Sequence, residues 1–264
     1  MLVGYGYWAA TRDPVVRETR VAVRAWPAGQ RPVRILLASD IHVAGPDMPP
    51  DRLARIVEQI NALAPDVVLI AGDFISEKAT TTHSYTFDEI MAPLAGLRAP
   101  LGTFAVLGNH DHWVDAAAAR RALIQANVRP LNNEAVRAGP LAIGGLDDDY
   151  TGHADLGRTL VAMQVAGGVP VLLSHSPDPF PDLPVDVPLM VAGHTHCGQI
   201  SPPLIGPLAT ASRYGKRYVC GRIDEKGRTL LVSAGLGTSV LPLRIGAAPD
   251  LWLIEIGPAA PPQR

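Results

Sequence analysis

Cysteine is nearly absent from this 264-residue chain, which carries only Cys197 and Cys220. Two thiols form at most one bridge, so a disulfide-built scaffold is excluded. The sequence alone leaves open whether they pair, and with it the redox compartment. An excess of one charge is also lacking. Lys and Arg number 23 against 25 Asp and Glu, a net charge of −2, so the basic footprint of a nucleic-acid binder is missing and no nucleic-acid partner is expected. Long apolar runs are missing as well. A membrane-spanning helix needs about 20 apolar residues, and Gly, Pro or a charged side chain interrupts every stretch before that length. Met1–Ala10 is uncharged but too short to span, and it lacks the basic flank of a signal peptide. Its Tyr5, Tyr7 and Trp8 beside Arg12 suit a membrane interface. The plainer reading is a strand or strap packed on the domain, and a third is the remnant of a longer anchor. Gly and Pro are plentiful, 25 of each, within a chain that is 47% hydrophobic. That composition gives many turns around one substantial core.

The first half alternates two patterns. Arg34–Asp40, Asp66–Asp73 and Leu101–Leu107 are continuous apolar runs of strand length. Between them, Asp51–Ala64 places Leu53, Ile56, Val57, Ile60 and Leu63 on one helical face, with Pro49–Pro50 before it and Pro65 after. Thr86–Leu97 reads as a helix opened by a Thr86/Glu89 capping box and kinked at Pro93. Asp115–Ala126 reads as an Ala-rich helix with Asp115 as its cap. Unbroken apolar strands separated by helices indicate parallel strands covered on both faces. The second half is richer in strands: 135–146, 170–175, 188–194, 218–223, 229–234 and 251–256, with one helix at 154–166 and a hairpin turn at 224–227. A helix-rich half and a strand-rich half indicate an α/β protein in which two sheets pack together.

The polar residues cluster where apolar strands end. Asp40-x-His42 follows the first strand, Gly72-Asp73 the second and Gly108-Asn109-His110-Asp111-His112 the third. Later, His175 and Gly193-His194-Thr195-His196 end two more. Open α/β sheets bind ligands at the carboxyl ends of their strands. Asp40, His42, Asp73, Asn109, His175, His194 and His196 together offer more donors than one tetrahedral metal takes. Carboxylate and imidazole donors without thiolate suit Mn, Fe, Co, Ni or Zn. The set fits two divalent ions sharing a carboxylate, the arrangement that hydrolyses phosphate esters with metals about 3.5–4 Å apart.

In this order, D-x-H … G-D … G-N-H-D … H … G-H-T-H resembles the calcineurin-like metallophosphoesterases over about residues 34–199. Gly144-Gly145-Leu146-Asp147-Asp148 and the segment Gly235–Ser239 with Leu241–Arg244 resemble the bacterial YaeI/YkuE-type phosphodiesterase branch. The resemblance implies two mixed sheets packed face to face and flanked by helices (αββα), spanning residues 31–257. A strap or remnant membrane anchor would precede it over 1–30, and a disordered Pro-rich tail would follow over 258–264. One metal would take Asp40, His42 and His196, the other Asn109, His175 and His194, with Asp73 bridging. A hydroxide between the metals would attack phosphorus while His110 serves the leaving oxygen as general acid. The implied substrate is a phosphodiester or pyrophosphate, lipid-linked or from the envelope (a phospholipid or UDP-2,3-diacylglucosamine), met by a membrane-associated or cytoplasmic enzyme in peripheral membrane contact. Alternatives are a soluble nucleotide phosphodiesterase and a non-catalytic metal-binding scaffold, against which stands the presence of every ligand and of His110.

Two departures stand out. Cys197 follows His196 where relatives often have Gly, and Ser76 stands where protein phosphatases carry a second Asp, leaving His110 without that carboxylate partner. Outside the matched blocks the plain readings apply. Cys197 reads as a small packed residue, Asp147–Asp149 as a solvated loop and His112 as a rim residue touching solvent. His83 and His153 read as surface side chains. The Gly- and Pro-rich stretch Ser201–Arg217 reads as a candidate lid, whose Arg213, Lys216 and Arg217 either meet phosphate or an anionic lipid surface or simply confer solubility.

Overall fold

Each apolar run of the first half divides its side chains between two cores. In the computed structural model, which describes residues 1–259, Ile35 and Leu37 of β2 (Val33–Ala38) face the second sheet, while Leu36 and Ala38 face helices. The same alternation divides Val67 and Leu69 from Val68 and Ile70 in β3 (Val67–Ala71). Strand pleating makes it so, and burial on both faces explains why no polar residue interrupts these runs. Of the tail expected over 258–264, residues 260–264 lie outside the described residues.

The chain begins with α1 (Leu2–Thr11), a helix where a strand or strap was expected, and β1 (Val15–Val23), which the sequence reading missed. After β2 come α2 (Pro50–Ala62), β3, α3 (Phe87–Met91), β4 (Thr103–Val106), α4 (Asn109–Gln125) and the two-residue β5 (Arg129–Pro130). The second half supplies β6 (Glu134–Ala138), β7 (Leu141–Gly145), α5 (Leu156–Ala166), β8 (Val169–Leu173), β9 (Leu189–Ala192), β10 (Gly221–Glu225), β11 (Arg228–Val232) and β12 (Asp250–Pro258). One sheet runs β1-β12-β2-β3-β4-β5 and the other β10-β11-β9-β8-β7-β6. Both are mixed: β2 to β5 pair in parallel and β12 lies antiparallel to β2, while β11, β9, β8 and β7 are parallel and β10 and β6 antiparallel to their neighbours. Helices α2, α3 and α4 cover the first sheet and α5 the second, giving four layers, αββα.

Local chemistry sets the boundaries. Thr86 and Glu89 form the expected capping box, but α3 gives way at Ala92 to a 3₁₀ turn over Ala92–Gly96 that contains Pro93. Proline supplies no N–H for an α-helical ladder, so the single expected helix is two short ones. Helix α4 begins six residues before the expected cap. Asp115 sits inside it at φ −167°, and its carboxylate accepts from Ala118 N at 2.9 Å, so it caps the second of two helical segments. Lys226 (φ 52°) and Gly227 (φ 76°) make the tight turn between β10 and β11.

Candidate metal centre

All five polar blocks arrive at one edge of the sandwich, and both sheets contribute. Asp40 and His42 follow β2, Asp73 follows β3, and Asn109 and His110 open α4 after β4. From the other sheet, His175 follows β8, and His194 and His196 follow β9. Hydrogen bonds hold these loops to one another. Asp40 N donates to Gly72 O (3.0 Å), His42 N to Asp73 O (2.9 Å) and Gly193 N to His175 O (2.9 Å). Across the sheets, His194 N donates to both oxygens of Asp40 at 3.0 Å.

The donor atoms converge in overlapping groups: Asp40, His42 and His196; His42, Asp73 and His110; Asp73, His175 and His194. Within each, one donor atom per residue lies within 4.8 Å of the others. Asp73 Oδ2 stands 3.5 Å from His42 Nε2 and 3.3 Å from His175 Nε2, so one carboxylate oxygen faces both halves. In the first half, His42 Nε2 and His196 Nε2 face each other at 3.1 Å, with Asp40 Oδ1 3.5 Å from the latter. In the second, His175 Nε2 lies 3.1 Å from Asn109 Oδ1 and 3.1 Å from His194 Nδ1. Lone-pair nitrogens pointed at one another in pairs are the donor set of a cation site. The outer nitrogens of two rings are fixed by backbone carbonyls, His42 Nδ1 on Ile75 O (3.1 Å) and His175 Nδ1 on Ala71 O (2.7 Å). A carbonyl can only accept, so each Nδ1 carries a proton, and Nε2 is the atom turned toward the cluster.

Burial tunes the donors. It holds His42 and His194 down at about 3 and His196 well below its ordinary value, so these rings are neutral and ready to donate a lone pair. Burial raises Asp40 to about 7. For Asp73 burial acts upward too, but His175 and His42 outweigh it and hold the carboxyl well below the usual range. Burial likewise opposes protonation of His175, yet Asp73 raises it well above its ordinary value. The backbone is strained at the same points: Asp40, His42, Asp73, His194 and His196 all have φ between 48° and 69°. L-residues enter that region at a cost, and such strain gathers at functional sites. Two glycines of the motifs fill a steric need. A Cβ at Gly108 would strike the Asp73 side chain, and one at Gly193 the Asp40 carboxylate.

His110 directs one ring nitrogen into the cluster, and its backbone N–H donates to Asp73 Oδ1 at 2.9 Å. A carboxylate stands near from the next position: Glu77 Oε2 lies 3.6 Å from the buried Nδ1 of His110, an ion-pair distance at an atom without a hydrogen-bond partner. The rim is aromatic. Trp113 stands 4.8 Å from the His110 ring, Tyr150 4.8 Å from the His194 ring, and both are more than half exposed.

Other readings change. Asp147 and Asp148 are buried rather than solvated, and Asp147 pairs with His112 Nε2 (2.9 Å) and Arg120 (3.2 Å), drawing that imidazole inward from the rim. His83 and His153 are exposed, as read, and His153 stacks on His112. Cys197 is not a lone packed residue: it is joined to Cys220 in a disulfide that ties the His196 loop to the start of β10. Arg213 and Arg217 of the candidate lid are engaged by Asp149, Asp178 and Glu225.

Two supporting residues escaped sequence reasoning. Asp111, buried, accepts from Gly108 N and Asp73 N (3.0 Å each), Phe74 N (2.9 Å) and Ile75 N (3.3 Å), clamping two donor loops together. Its position at N3 of α4, a capping site, was the available signal. Arg244, also buried, donates to the carbonyls of Ala234, Gly235, Gly237 and Ala247 and lies 3.4 Å from His196 Nδ1. It holds the Gly-rich 234–237 loop against Asp40 and His42.

A two-sheet sandwich carrying imidazole, amide and carboxylate donors at the strand ends of both sheets defines a metallophosphoesterase-type protein. The calcineurin-like phosphoesterase profile matches residues 33–198. The uncharacterized metallophosphoesterase YkuE of Bacillus subtilis is 31% identical, over 96% of this chain and 90% of that protein. YkoQ of the same organism is 25% identical, over 93% and 92%. A Bos taurus transmembrane protein with metallophosphoesterase domain is 30% identical over 93% of this chain, which spans only 58% of that protein's length. The chain belongs to the calcineurin-like phosphoesterase family.

Proposed function

We propose that this centre holds two divalent transition metals and hydrolyses phosphodiester or pyrophosphate bonds. The observation that carries the reading is the single oxygen, Asp73 Oδ2, facing His42 and His175 across two clusters. Asp40, His42 and His196 would hold one ion, Asn109, His175 and His194 the other, and Asp73 would serve both. When bound, the metals supply Lewis-acid polarisation of the phosphate and an activated water. Asp111 keeps the Asp73 loop rigid while charge builds at phosphorus. His110, steadied by Glu77, delivers a proton to the departing oxygen. The disulfide beside the site supports an oxidising compartment, where a lipid-linked or envelope substrate of the phospholipid or UDP-diacylglucosamine kind is within reach and the protein contacts the membrane peripherally.

A second reading keeps the chemistry and changes the substrate to a soluble nucleotide. The exposed faces of Trp113 and Tyr150 beside His110 and His194 favour it, because aromatic rings stack on bases. Reconstituted enzyme separates the two: hydrolysis of a phospholipid in mixed micelles at the rate of bis-p-nitrophenyl phosphate or faster supports the lipid reading. Turnover confined to nucleotides, and lost in Trp113→Ala, supports the second.

A further inference from the structure

Three segments of this chain, residues 1–12, 199–223 and 236–249, contain no Asp or Glu. The fold brings them together. Arg244 N donates to Gly6 O (2.9 Å), joining α1 to the last segment. Ser201 N donates to Ile245 O (2.7 Å), Gln199 Nε2 to Leu241 O (2.9 Å), and Leu208 N to Ile200 O (3.1 Å). From this base large apolar side chains point outward: Leu2, Trp8, Leu204, Ile205, Leu208 and Val240 are each more than half exposed, Leu204 fully. Scattered exposed apolar residues are ordinary, but a strip built from two segments that both bond to a third is not. It borders the catalytic edge, since Gln199 lies three residues beyond His196 and a Cβ at Gly198 would strike Pro207.

Charge identifies what covers it. Arg12 lies over the Trp8 ring at 5.4 Å, and Lys216 Nζ reaches Ile205 O at 3.4 Å. No carboxylate pairs with either among the described residues, whereas Arg213 and Arg217 have partners and do not count. Cations set among aromatic and aliphatic side chains match the boundary between acyl chains and anionic headgroups. A second copy fits poorly: in a two-fold pairing the face meets itself, and its cations meet cations.

We infer that this strip is a docking surface for an anionic lipid bilayer, which sets the mouth of the metal centre at the membrane interface. No helix among the described residues is long and apolar enough to cross a membrane. The inference rests on the membrane contact of the proposed function and deepens it by naming the surface that makes it; its test is separate from the chemistry, because partitioning needs no turnover.

The test is co-sedimentation of the full chain with vesicles of phosphatidylcholine, with and without phosphatidylserine at about one lipid in four. The expected result is binding to the mixed vesicles, several-fold weaker binding to phosphatidylcholine alone, and a loss of at least about tenfold in Leu204→Asp/Ile205→Asp. That variant should keep the wild-type circular dichroism and its rate on bis-p-nitrophenyl phosphate in solution. A second variant, Trp8→Ala, should weaken partitioning without touching the loop. Failure of the wild-type chain to bind mixed vesicles, equal binding by both variants, or a wild-type dimer that Leu204→Asp/Ile205→Asp breaks would overturn the proposal. Lost turnover with intact vesicle binding would instead count against the phosphoesterase reading alone.

Discussion

Replacing Asp73 by Asn keeps the size of the side chain and removes its charge. Because Asp73 Oδ2 faces both halves of the site, Asp73→Asn is expected to cut bound metal and abolish measurable turnover, read by elemental analysis beside a rate assay. His110→Ala should behave differently. Its ring holds no unique place in either proposed donor set, so metal should remain while the rate falls about 10²–10⁴-fold. Loss of metal in that variant would make His110 a ligand instead. Glu77→Gln removes only the charge facing His110 Nδ1, and a smaller drop of about tenfold is expected, with metal content unchanged. Glu77 illustrates a limit of reading residues in line. With Ser76 at the matching position the sequence leaves His110 without a carboxylate, and only the turn of the loop after β3 brings Glu77 within 3.6 Å of the imidazole. The candidate donors were legible because motifs report residue types at strand ends, whereas partners such as Glu77, Asp111 and Arg244 depend on how loops cross.

The elements follow the sequence most closely where burial is two-sided. Strands β2, β3 and β4 and helix α2 fall within a few residues of the periodic patterns that marked them. Strand β1 escaped because it is an edge strand: exposed Arg17, Glu18 and Arg20 interrupt Val16, Thr19 and Val21 without a regular alternation, so no continuous apolar run marks it. Helix α1 escaped because uncharged residues with two glycines carry no clear helical period, and its buried positions are only Gly6, Ala9 and Ala10. The disulfide was beyond reach, since Cys197 and Cys220 are 23 residues apart and nothing in the spacing brings them together. Closing a loop of that length should stabilise the fold by about 3 kcal/mol. Cys197→Ser/Cys220→Ser is therefore expected to lower the unfolding free energy by about that amount, read from urea denaturation. A variant as stable as wild type would mean that the bridge does not form.

Across the whole molecule, two sheets meet with their carboxyl-end loops at one edge, and the centre exists only when both are docked. Asp40 couples that assembly to pH. Its carboxyl titrates at about 7 in the folded, metal-free protein against an ordinary value of 3.8. A raised carboxyl stabilises the folded state below its unfolded pKa, and this contribution is lost as pH rises through about 7. The metal must displace the same proton, so affinity for the first ion should weaken as pH falls below about 7. Isothermal titration at pH 6 and pH 8 reads the difference, and equal affinities would remove Asp40 from the donor set. The most direct measurement of the central claim is the metal stoichiometry of activation: protein stripped of metal is titrated with Mn, Zn, Fe, Co or Ni while hydrolysis of bis-p-nitrophenyl phosphate is followed. The account predicts a rate that saturates at two ions per chain and stays at background in Asp73→Asn. Full activity at one ion per chain, or undiminished activity in that variant, would contradict it.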